Sequence, residues 1–168
     1  MPPHIITLEE LLARLPRQAR LLGLDLGTKT IGLAVSDVER SIASPLETIA
    51  RSRFTEDAVR LATVIEKQQI FALVMGMPLN MDGSSGPRVQ ATHAFMRNFA
   101  KTCPLPFVTW DERLSTAAVT RTLIEQDASR AKRATLVDKM AAAYILQGAL
   151  DRLATMARQQ ANAATGPG

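Results

Sequence analysis

The chain has 168 residues, of which 46% are hydrophobic and 21% charged, and its formal net charge is +4. This composition is typical of one globular domain and excludes an intrinsically disordered protein, which combines low hydrophobicity with high net charge. One cysteine excludes a disulfide framework, and we interpret Cys103 as a small core residue in a reducing compartment. No run of about 18 apolar residues and no signal-peptide pattern occur, so we expect a cytoplasmic protein without a membrane anchor.

The positive charge is concentrated in the last third of the chain. Residues 1–112 carry twelve basic and twelve acidic side chains, whereas residues 113–168 carry eight basic and four acidic ones. The whole net charge therefore belongs to residues 113–168. A local excess of this kind is typical of a surface that binds phosphate groups, and equally of an ordinary solvated helix surface. Charge alone leaves both interpretations open.

The first nineteen residues are predicted to form an extension with one short helix. Leucines at helical spacing mark this helix over residues 7–15. Thr7 is a candidate cap, with Glu10 three residues later, and Pro16 ends the helix. The leucine stripe predicts that the helix docks against the rest of the protein, but the sequence assigns it no role.

Three strands are predicted next. Apolar runs at residues 21–26 and 31–37, separated by a four-residue turn, predict a β-hairpin. A third strand is predicted near residues 45–50, where Pro45 suits the start of a strand.

Helices and strands then alternate. We predict helices over residues 54–68, 87–101, 116–126 and 135–157, and strands over residues 70–75 and 105–110. The buried face of the first of these helices is predicted to consist of Phe54, Ala58, Leu61, Ala62 and Ile65. Ser115 and Thr135 are the candidate caps of the last two helices. Residues 158–168, which are small and polar, are expected to form a flexible tail.

The order of these elements, β-β-β-α-β-α-β-α-α, predicts the fold class. It describes one α/β domain over residues 20–157, with a five-stranded mixed sheet flanked by helices. Antiparallel strands come first, and parallel strands joined by helices follow.

Asp25 is the first candidate functional residue, because it interrupts an apolar strand. Leucines flank it on both sides. An ionised carboxylate buried without a partner is strongly unfavourable, so a cation, a metal or strong donors are expected beside it. The alternative is that Asp25 caps the turn formed by residues 27–30.

Asp111 and Glu112 form a second acidic pair, at the end of the strand predicted over residues 105–110. The carboxyl ends of parallel strands gather binding groups. Adjacent residues on a strand point to opposite faces, so one of the two carboxylates faces the cleft more readily than the other. The spacing does not decide which one.

Asp138 is the third candidate acid. It lies on the apolar stripe of the last helix, with small or aliphatic residues one, two and three turns later: Ala141, Ala142, Ile145 and Ala149. The alternative is an inward aspartate that is paired in a salt bridge.

These acids predict a metal site. Carboxylates without histidine or cysteine are the ligands expected for Mg²⁺ or Mn²⁺. Two such ions, about 3.5 to 4 Å apart, can activate a water and stabilise the leaving oxygen of a phosphodiester.

The loop over residues 76–88 is a candidate phosphate site. Backbone N–H groups of a glycine-serine run precede a helix there, with Arg88 just inside it. Such a run is as often a simple turn. Lys29 and Arg113, each close to a candidate acid, either contact phosphate or pair with the acid. The candidate substrate contacts are Lys29, Asn80, Ser84, Arg88 and Arg113.

Trp110 has two interpretations. Its ring can stack on a nucleobase, or it can pack at the rim of the domain. The second interpretation is favoured.

Four segments, taken together, resemble the YqgF family, whose members are named as nucleases of precursor 16S rRNA or as Holliday junction resolvases. They are LLGLDLGTKTIGLAVSD at 21–37, VMGMPLNMDGSSGP at 74–87, DERLST at 111–116 and VDKMAAAYILQGALD at 137–151. The resemblance covers about residues 20–152. It implies a ribonuclease H-like fold, which the order of elements also matches, and a nuclease dependent on Mg²⁺ or Mn²⁺, with two ions held by Asp25, Glu112 and Asp138.

The resemblance also favours Glu112 for the cleft, with Asp111 holding the loop. Two positions depart from the expected pattern. Thr30 stands where the family motif continues with arginine, which removes one phosphate contact. Gly76 ends the fourth strand, where ribonuclease H-like enzymes often carry an acid, so Glu112 must substitute from the fifth strand.

The function implied by the resemblance is trimming of the 5′ end of precursor 16S rRNA, with ribosomal particles as further partners and a monomer or homodimer as the active form. The alternatives are a Holliday junction resolvase and a non-catalytic RNA-binding factor in ribosome assembly or transcription. A phosphotransferase, suggested by the DLGT sequence at 25–28, is disfavoured, because its nucleotide cleft needs two such domains.

Overall fold

The computed structural model describes residues 4–114 and 130–165, and the side chains of residues 130–139 are not described. The helices are α1 (Leu8–Arg14), α2 (Phe54–Gln68), α3 (Pro87–Ala100) and α4 (Arg130–Ala164). The strands are β1 (Arg20–Leu26), β2 (Thr30–Ser36), β3 (Ala43–Ala50), β4 (Ile70–Met77) and β5 (Phe107–Asp111), and a 3₁₀ turn (Glu112–Leu114) follows β5. The helix predicted over residues 116–126 and its candidate cap Ser115 lie outside the described residues.

The five strands form one mixed sheet in the order β3-β2-β1-β4-β5. β1, β2 and β3 pair antiparallel, and β1, β4 and β5 pair parallel. This confirms the predicted five-stranded mixed sheet. Because β1, β4 and β5 run in one direction, their carboxyl ends meet at one edge of the sheet, which we call the C-edge.

Helices cover both faces of the sheet, and each face has its own core. α2 and α3 pack on the first face, and α1 and α4 pack on the second. Side chains on β1 alternate between the two: Leu22, Leu24 and Leu26 belong to the first core and Leu21 to the second. The two cores are therefore separated by a sheet that is buried on both sides.

The N-terminal extension lies along the free edge of β5. Ile6 donates its N–H to the Phe107 carbonyl at 2.9 Å, and Phe107 donates to the His4 carbonyl at 2.8 Å. Thr7 and Glu10 form the capping box of α1, as predicted. Leu11 is completely buried in the second core. The extension thus covers an exposed strand edge, which is otherwise a site of unwanted pairing.

β3 starts earlier than predicted. It begins at Ala43, two residues before Pro45. Proline is tolerated there because β3 is an edge strand, and the register with β2 shifts between Leu33 and Ala34, opposite Pro45. Pro45 therefore marks an irregularity within the strand, not its start.

The buried face of α2 differs from the predicted one. Ala58 and Leu61 are buried as predicted, but Phe54 and Ala62 are exposed, and the face is completed by Asp57 and Val64. Asp57 turns inward because its carboxylate accepts the Ser52 N–H at 3.1 Å before the first turn of the helix. A local polar bond therefore accounts for the buried carboxylate in the first turn of α2.

α4 is longer than predicted at both ends. It spans 35 residues, so Thr135 lies inside the helix and is not its cap, and residues 158–164, predicted as a tail, are helical. Alanine, glutamine and arginine in this stretch are strong helix formers, which explains the extension. No helix within the described part of the chain is apolar and long enough to cross a membrane.

Candidate active site

Asp25 is buried in the centre of the sheet, near the C-edge. Its side chain is 1% exposed, and on β2 it lies opposite Gly32. Gly23, two residues earlier on the same face of β1, is covered by α4: a Cβ atom there would lie 2.7 Å from Leu146 Cβ. Asp25 therefore points to the face of the sheet that carries α4.

Glu112 is also buried, 6% exposed, at the first position of the 3₁₀ turn after β5. A Cβ atom on Gly76 would lie 2.8 Å from Glu112 Oε1 and would collide with Ile145 Cδ1 of α4. The glutamate carboxylate thus lies over the end of β4, on the face that carries α4. Along the pairing of β1 with β4, Asp25 and Gly76 directly follow the pair Leu24 and Met75. The structure therefore brings Asp25 and Glu112 to neighbouring strands on one face.

Asp111 has a different environment. Its carboxylate accepts bonds from Arg113 Nε at 3.0 Å and Nη2 at 2.6 Å, and from the Arg113 backbone N–H at 3.0 Å. The hydrogen bond from the Arg113 side chain lowers the pKa of Asp111 below its ordinary value. Of the two adjacent acids, Glu112 lies over the sheet and Asp111 is held by Arg113.

Asp138 lies in α4, one turn before Ala142 and two before Ile145. The Ala142 carbonyl packs on Gly23 of β1, and Ile145 packs on Gly76 of β4. The helix backbone therefore approaches β1, which carries Asp25, and the end of β4, over which Glu112 lies. The side chain of Asp138 is outside the described part of the structure, so its place beside Asp25 and Glu112 stays a prediction.

The loop between β4 and α3 is closed by its own hydrogen bonds. Asn80 Nδ2 donates to Ser84 Oγ at 3.0 Å, and the Gly83 N–H donates to the Asn80 carbonyl at 2.8 Å. The Ser84 N–H donates to Asp82 at 2.9 Å, and the bonds from Ser84 lower the pKa of Asp82. The N–H groups of Gly83 and Ser84 are thus bonded inside the loop, and phosphate binding by this loop stays a prediction.

Arg113 joins this loop to the end of β5. Besides binding Asp111, its Nη1 donates to the Met81 carbonyl at 3.3 Å, and Gly83 packs beside its guanidinium. Of the two interpretations of Arg113, pairing with its neighbouring acid is the one that the geometry supports. Arg113 therefore braces the loop.

Lys29 and Arg88 lie near Asp25. Arg88 Nη2 donates to the Leu26 carbonyl at 3.5 Å, one residue after Asp25. Lys29 is exposed in the turn between β1 and β2. Their binding to a phosphate group at the C-edge stays a prediction.

Trp110 and Cys103 are both buried in the core of the protein. Trp110 is 8% exposed, and its ring packs directly on Gly148 of α4, where a Cβ atom would lie 2.7 Å from Trp110 Cζ2. This confirms packing over base stacking. Cys103 is buried in the first core, and burial raises the pKa of its thiol.

The described residues contain no cluster of three or more side chains from histidine, cysteine, aspartate and glutamate that could hold a metal ion. They do contain two buried carboxylates on one face of the sheet, Asp25 and Glu112. An all-oxygen pair of this type suits Mg²⁺ or Mn²⁺ rather than zinc. A third carboxylate would have to come from a segment whose side chains are not described, and Asp138 is the candidate.

Comparison with solved structures identifies the class of fold. RuvC of Thermus thermophilus, solved in complex with a Holliday junction substrate, matches with a TM-score of 0.51 and 18% identity, over 82% of this chain and 97% of that one. The yeast mitochondrial Holliday junction resolvase Ydc2 matches with a TM-score of 0.52 and 15% identity, over 89% of this chain and 87% of that one. The chain thus has the ribonuclease H-like fold of these proteins.

Sequence comparison identifies the family. The RuvX family model, described as Holliday junction resolvase, matches residues 19–152, and the chain belongs to this family. A relative from Methylocella silvestris, named "Putative pre-16S rRNA nuclease", is 65% identical over 91% of this chain and 95% of its own length. One from Rhizobium meliloti with the same name is 57% identical over 92% of this chain and 93% of its own length. The resemblance identified from the four motifs is confirmed.

Sequence reasoning missed two features of the site. The sequence shows that Gly76 stands where related enzymes often carry an acid, but it does not show that Gly76 makes room for Glu112. Arg51 and Arg60, whose side chains donate to the Gly27 and Ala50 carbonyls near the ends of β1 and β3, gave no signal, because the first 112 residues are neutral as a whole. The pairing of strands, which places them there, is not visible in local periodicity.

Proposed function

We propose that this protein is a metal-dependent nuclease that hydrolyses phosphodiester bonds in structured nucleic acid, and that it trims the 5′ end of precursor 16S rRNA in the cytoplasm. The observation that carries the proposal is the placement of two buried carboxylates, Asp25 and Glu112, on one face of the sheet at the C-edge. The RuvX family match and the names of the relatives support the reaction class and the RNA.

Asp25, Glu112 and Asp138 would hold two Mg²⁺ or Mn²⁺ ions. When bound, such ions supply a water that is deprotonated near neutral pH and positive charge at the leaving oxygen. The burial of Asp25 and Glu112 keeps both carboxylates in fixed positions and limits access of bulk water.

The surrounding residues would position the substrate. Lys29 and Arg88 flank the end of β1 and would bind the phosphates on either side of the bond that is cut. Asn80 and Ser84 give the neighbouring loop its shape, and Arg113 holds that loop against β5. Asp111 neutralises the Arg113 guanidinium and so serves the loop instead of the metals.

A Holliday junction resolvase is the second candidate, because the matched family model carries that description. Such an enzyme would act as a symmetric homodimer, which places two sites on a two-fold substrate. A precursor rRNA end needs one site, so a monomer suffices for the first function.

The proposal is tested with one enzyme preparation, in the presence of Mg²⁺ and of Mn²⁺. The substrate is either a precursor 16S rRNA fragment with its 5′ extension or a four-way DNA junction. We expect cleavage of the RNA, release of the mature 5′ end, and a much slower reaction on the junction. Preferred cleavage of the junction would replace the first function by the second. Tight RNA binding without turnover under either ion would contradict both and favour a non-catalytic factor.

A further inference from the structure

Three arginines are held by backbone carbonyls near the carboxyl ends of β1 and β3. Each donates one side-chain bond to a carbonyl at the end of a strand or in the turn that follows it. The bonds join Arg51 to Gly27 at 2.6 Å, Arg60 to Ala50 at 3.3 Å and Arg88 to Leu26 at 3.5 Å. Because β1 ends at Leu26 and β3 at Ala50, the three guanidinium groups lie along one edge.

Lys29 belongs to the same group. It is exposed in the turn between β1 and β2, and its carbonyl accepts the Arg51 N–H at 2.9 Å. The turn and the residue after β3 are thus tied together, and their two cationic side chains share one surface. We call Lys29, Arg51, Arg60 and Arg88 the basic track.

The charges of the basic track are not neutralised by neighbouring acids. Among the described residues, the one ion pair is that of Arg113 with Asp111, which lies beyond β4 at the other side of the site. The first two acids that follow Arg51 in the chain, Glu56 and Asp57, accept hydrogen bonds from Ser52. A guanidinium has five N–H donors, so a single bond to a carbonyl leaves most of them for a ligand.

We propose that the basic track binds the sugar-phosphate backbone of the nucleic acid and leads it to Asp25. This inference rests on the proposed function, because a nucleic acid is taken as the substrate. Guanidinium groups bind phosphate in a two-point geometry, and a row of them suits a repeating anion better than a single small one. The basic track is a binding surface formed by residues 1–112, which carry no net charge as a whole. It adds to any surface formed by the basic residues 113–168.

The test is binding in the Asp25→Asn background, where we expect cleavage to be blocked. We compare Arg51→Gln/Arg60→Gln with Arg17→Gln/Arg97→Gln, a matched control that removes the same charge from exposed arginines near the start of β1 and in the last turn of α3. The probes are the precursor 16S rRNA fragment and the four-way DNA junction, each titrated over a range of salt. Both variants are first checked for an unchanged melting temperature.

We expect the track variant to bind at least about tenfold more weakly at low salt. The slope of log affinity against log salt should fall by about one for each lost phosphate contact. The control should stay within about twofold of its parent, since its arginines are distant from the C-edge. A loss with one of the two probes supports the track and identifies which backbone it binds.

Lys29→Gln is a second track variant that we expect to fold normally, because the Lys29 side chain makes no hydrogen bond with a described residue. It should also lower both affinity and salt slope. Control-like binding by Arg51→Gln/Arg60→Gln would overturn the track, and the single variant Arg60→Gln decides if the double variant does not fold. If the track variants lose affinity but the wild-type protein cleaves neither probe, the proposed nuclease function fails and the binding surface stands.

Discussion

The carboxylate of Glu112 occupies the space next to Gly76 where any larger residue would place its side chain. A Cβ atom at Gly76 would come within 2.8 Å of Glu112 Oε1. Two elements that are distant in the sequence, the end of β4 and the turn after β5, thus share one position on the sheet. The absence of a side chain at Gly76 is what allows the acid that follows β5 to lie over the end of β4, the strand next to the one that carries Asp25.

Gly76→Ala should therefore displace Glu112 and weaken metal binding. The added methyl also meets Ile145, so we expect a loss of about 1–3 kcal/mol in the free energy of unfolding, as for other overpacked cores. Mn²⁺ affinity, measured by calorimetry well below the melting temperature, should fall by at least about tenfold.

Gly148→Ala is the matched control for this substitution. Its methyl would press on Trp110, 2.7 Å from Cζ2, under the same helix α4. It should cost similar stability and leave Mn²⁺ affinity unchanged. Equal Mn²⁺ affinities in Gly76→Ala and Gly148→Ala would contradict the role assigned to Gly76.

Arg113→Ala should loosen the loop between β4 and α3. The substitution removes the bond to the Met81 carbonyl and leaves Asp111 without its guanidinium partner. Amide hydrogen exchange at Gly83 and Ser84 should become faster, and Asp111→Asn should produce the same change. Arg97→Ala, on the surface of α3, is the control. Unchanged exchange in both loop variants would show that Arg113 does not brace the loop.

The pair of Asp111 and Arg113 predicts a pH dependence of stability. Because the pKa of Asp111 is lowered in the folded state, its contribution is complete above the ordinary aspartate pKa of about 3.9 and is lost as the pH falls through the lowered value. Wild type should be more stable than Asp111→Asn at pH 7, and urea midpoints should converge in acid. The pKa of Asp37 is also lowered, but Asp37 is present in both proteins and cancels. A difference in urea midpoint between wild type and Asp111→Asn that does not change with pH would contradict this assignment.

Leu11→Ala tests the docking of the N-terminal extension. Leu11 is completely buried between α1 and the second core, so its truncation should cost about 2–5 kcal/mol in the free energy of unfolding. Val59→Ala, a residue 65% exposed on α2, should change it by less than about 0.5 kcal/mol. Denaturant unfolding gives both values, and similar small losses would mean that α1 is not part of the folded core.

Local patterns in the sequence were sufficient for most elements. Hydrophobic periodicity placed α2 at its observed bounds, and the apolar runs around Asp25 predicted the hairpin of β1 and β2. These patterns work because burial against one sheet imposes a period on each segment. The interruption of an apolar strand by Asp25 was visible for the same reason.

Relations between segments were not accessible in this way. The inward turn of Asp57 depends on Ser52, which precedes the helix. The contact of Glu112 with Gly76 depends on the register of β4 with β5. The hydrogen bond between Asn80 and Ser84 depends on the path of the loop. The sequence alone therefore could not distinguish a loop that binds phosphate from a closed turn.

The participation of Asp25 in metal-dependent hydrolysis is measured by the turnover of Asp25→Asn on the precursor 16S rRNA fragment with Mg²⁺ or Mn²⁺. The control is Asp151→Asn, which neutralises an exposed aspartate on α4. We predict that Asp25→Asn cleaves more than about 100-fold more slowly, beyond the loss typical of an outer-shell metal partner, while Asp151→Asn keeps the wild-type rate. Cleavage by Asp25→Asn at the wild-type rate would contradict the account.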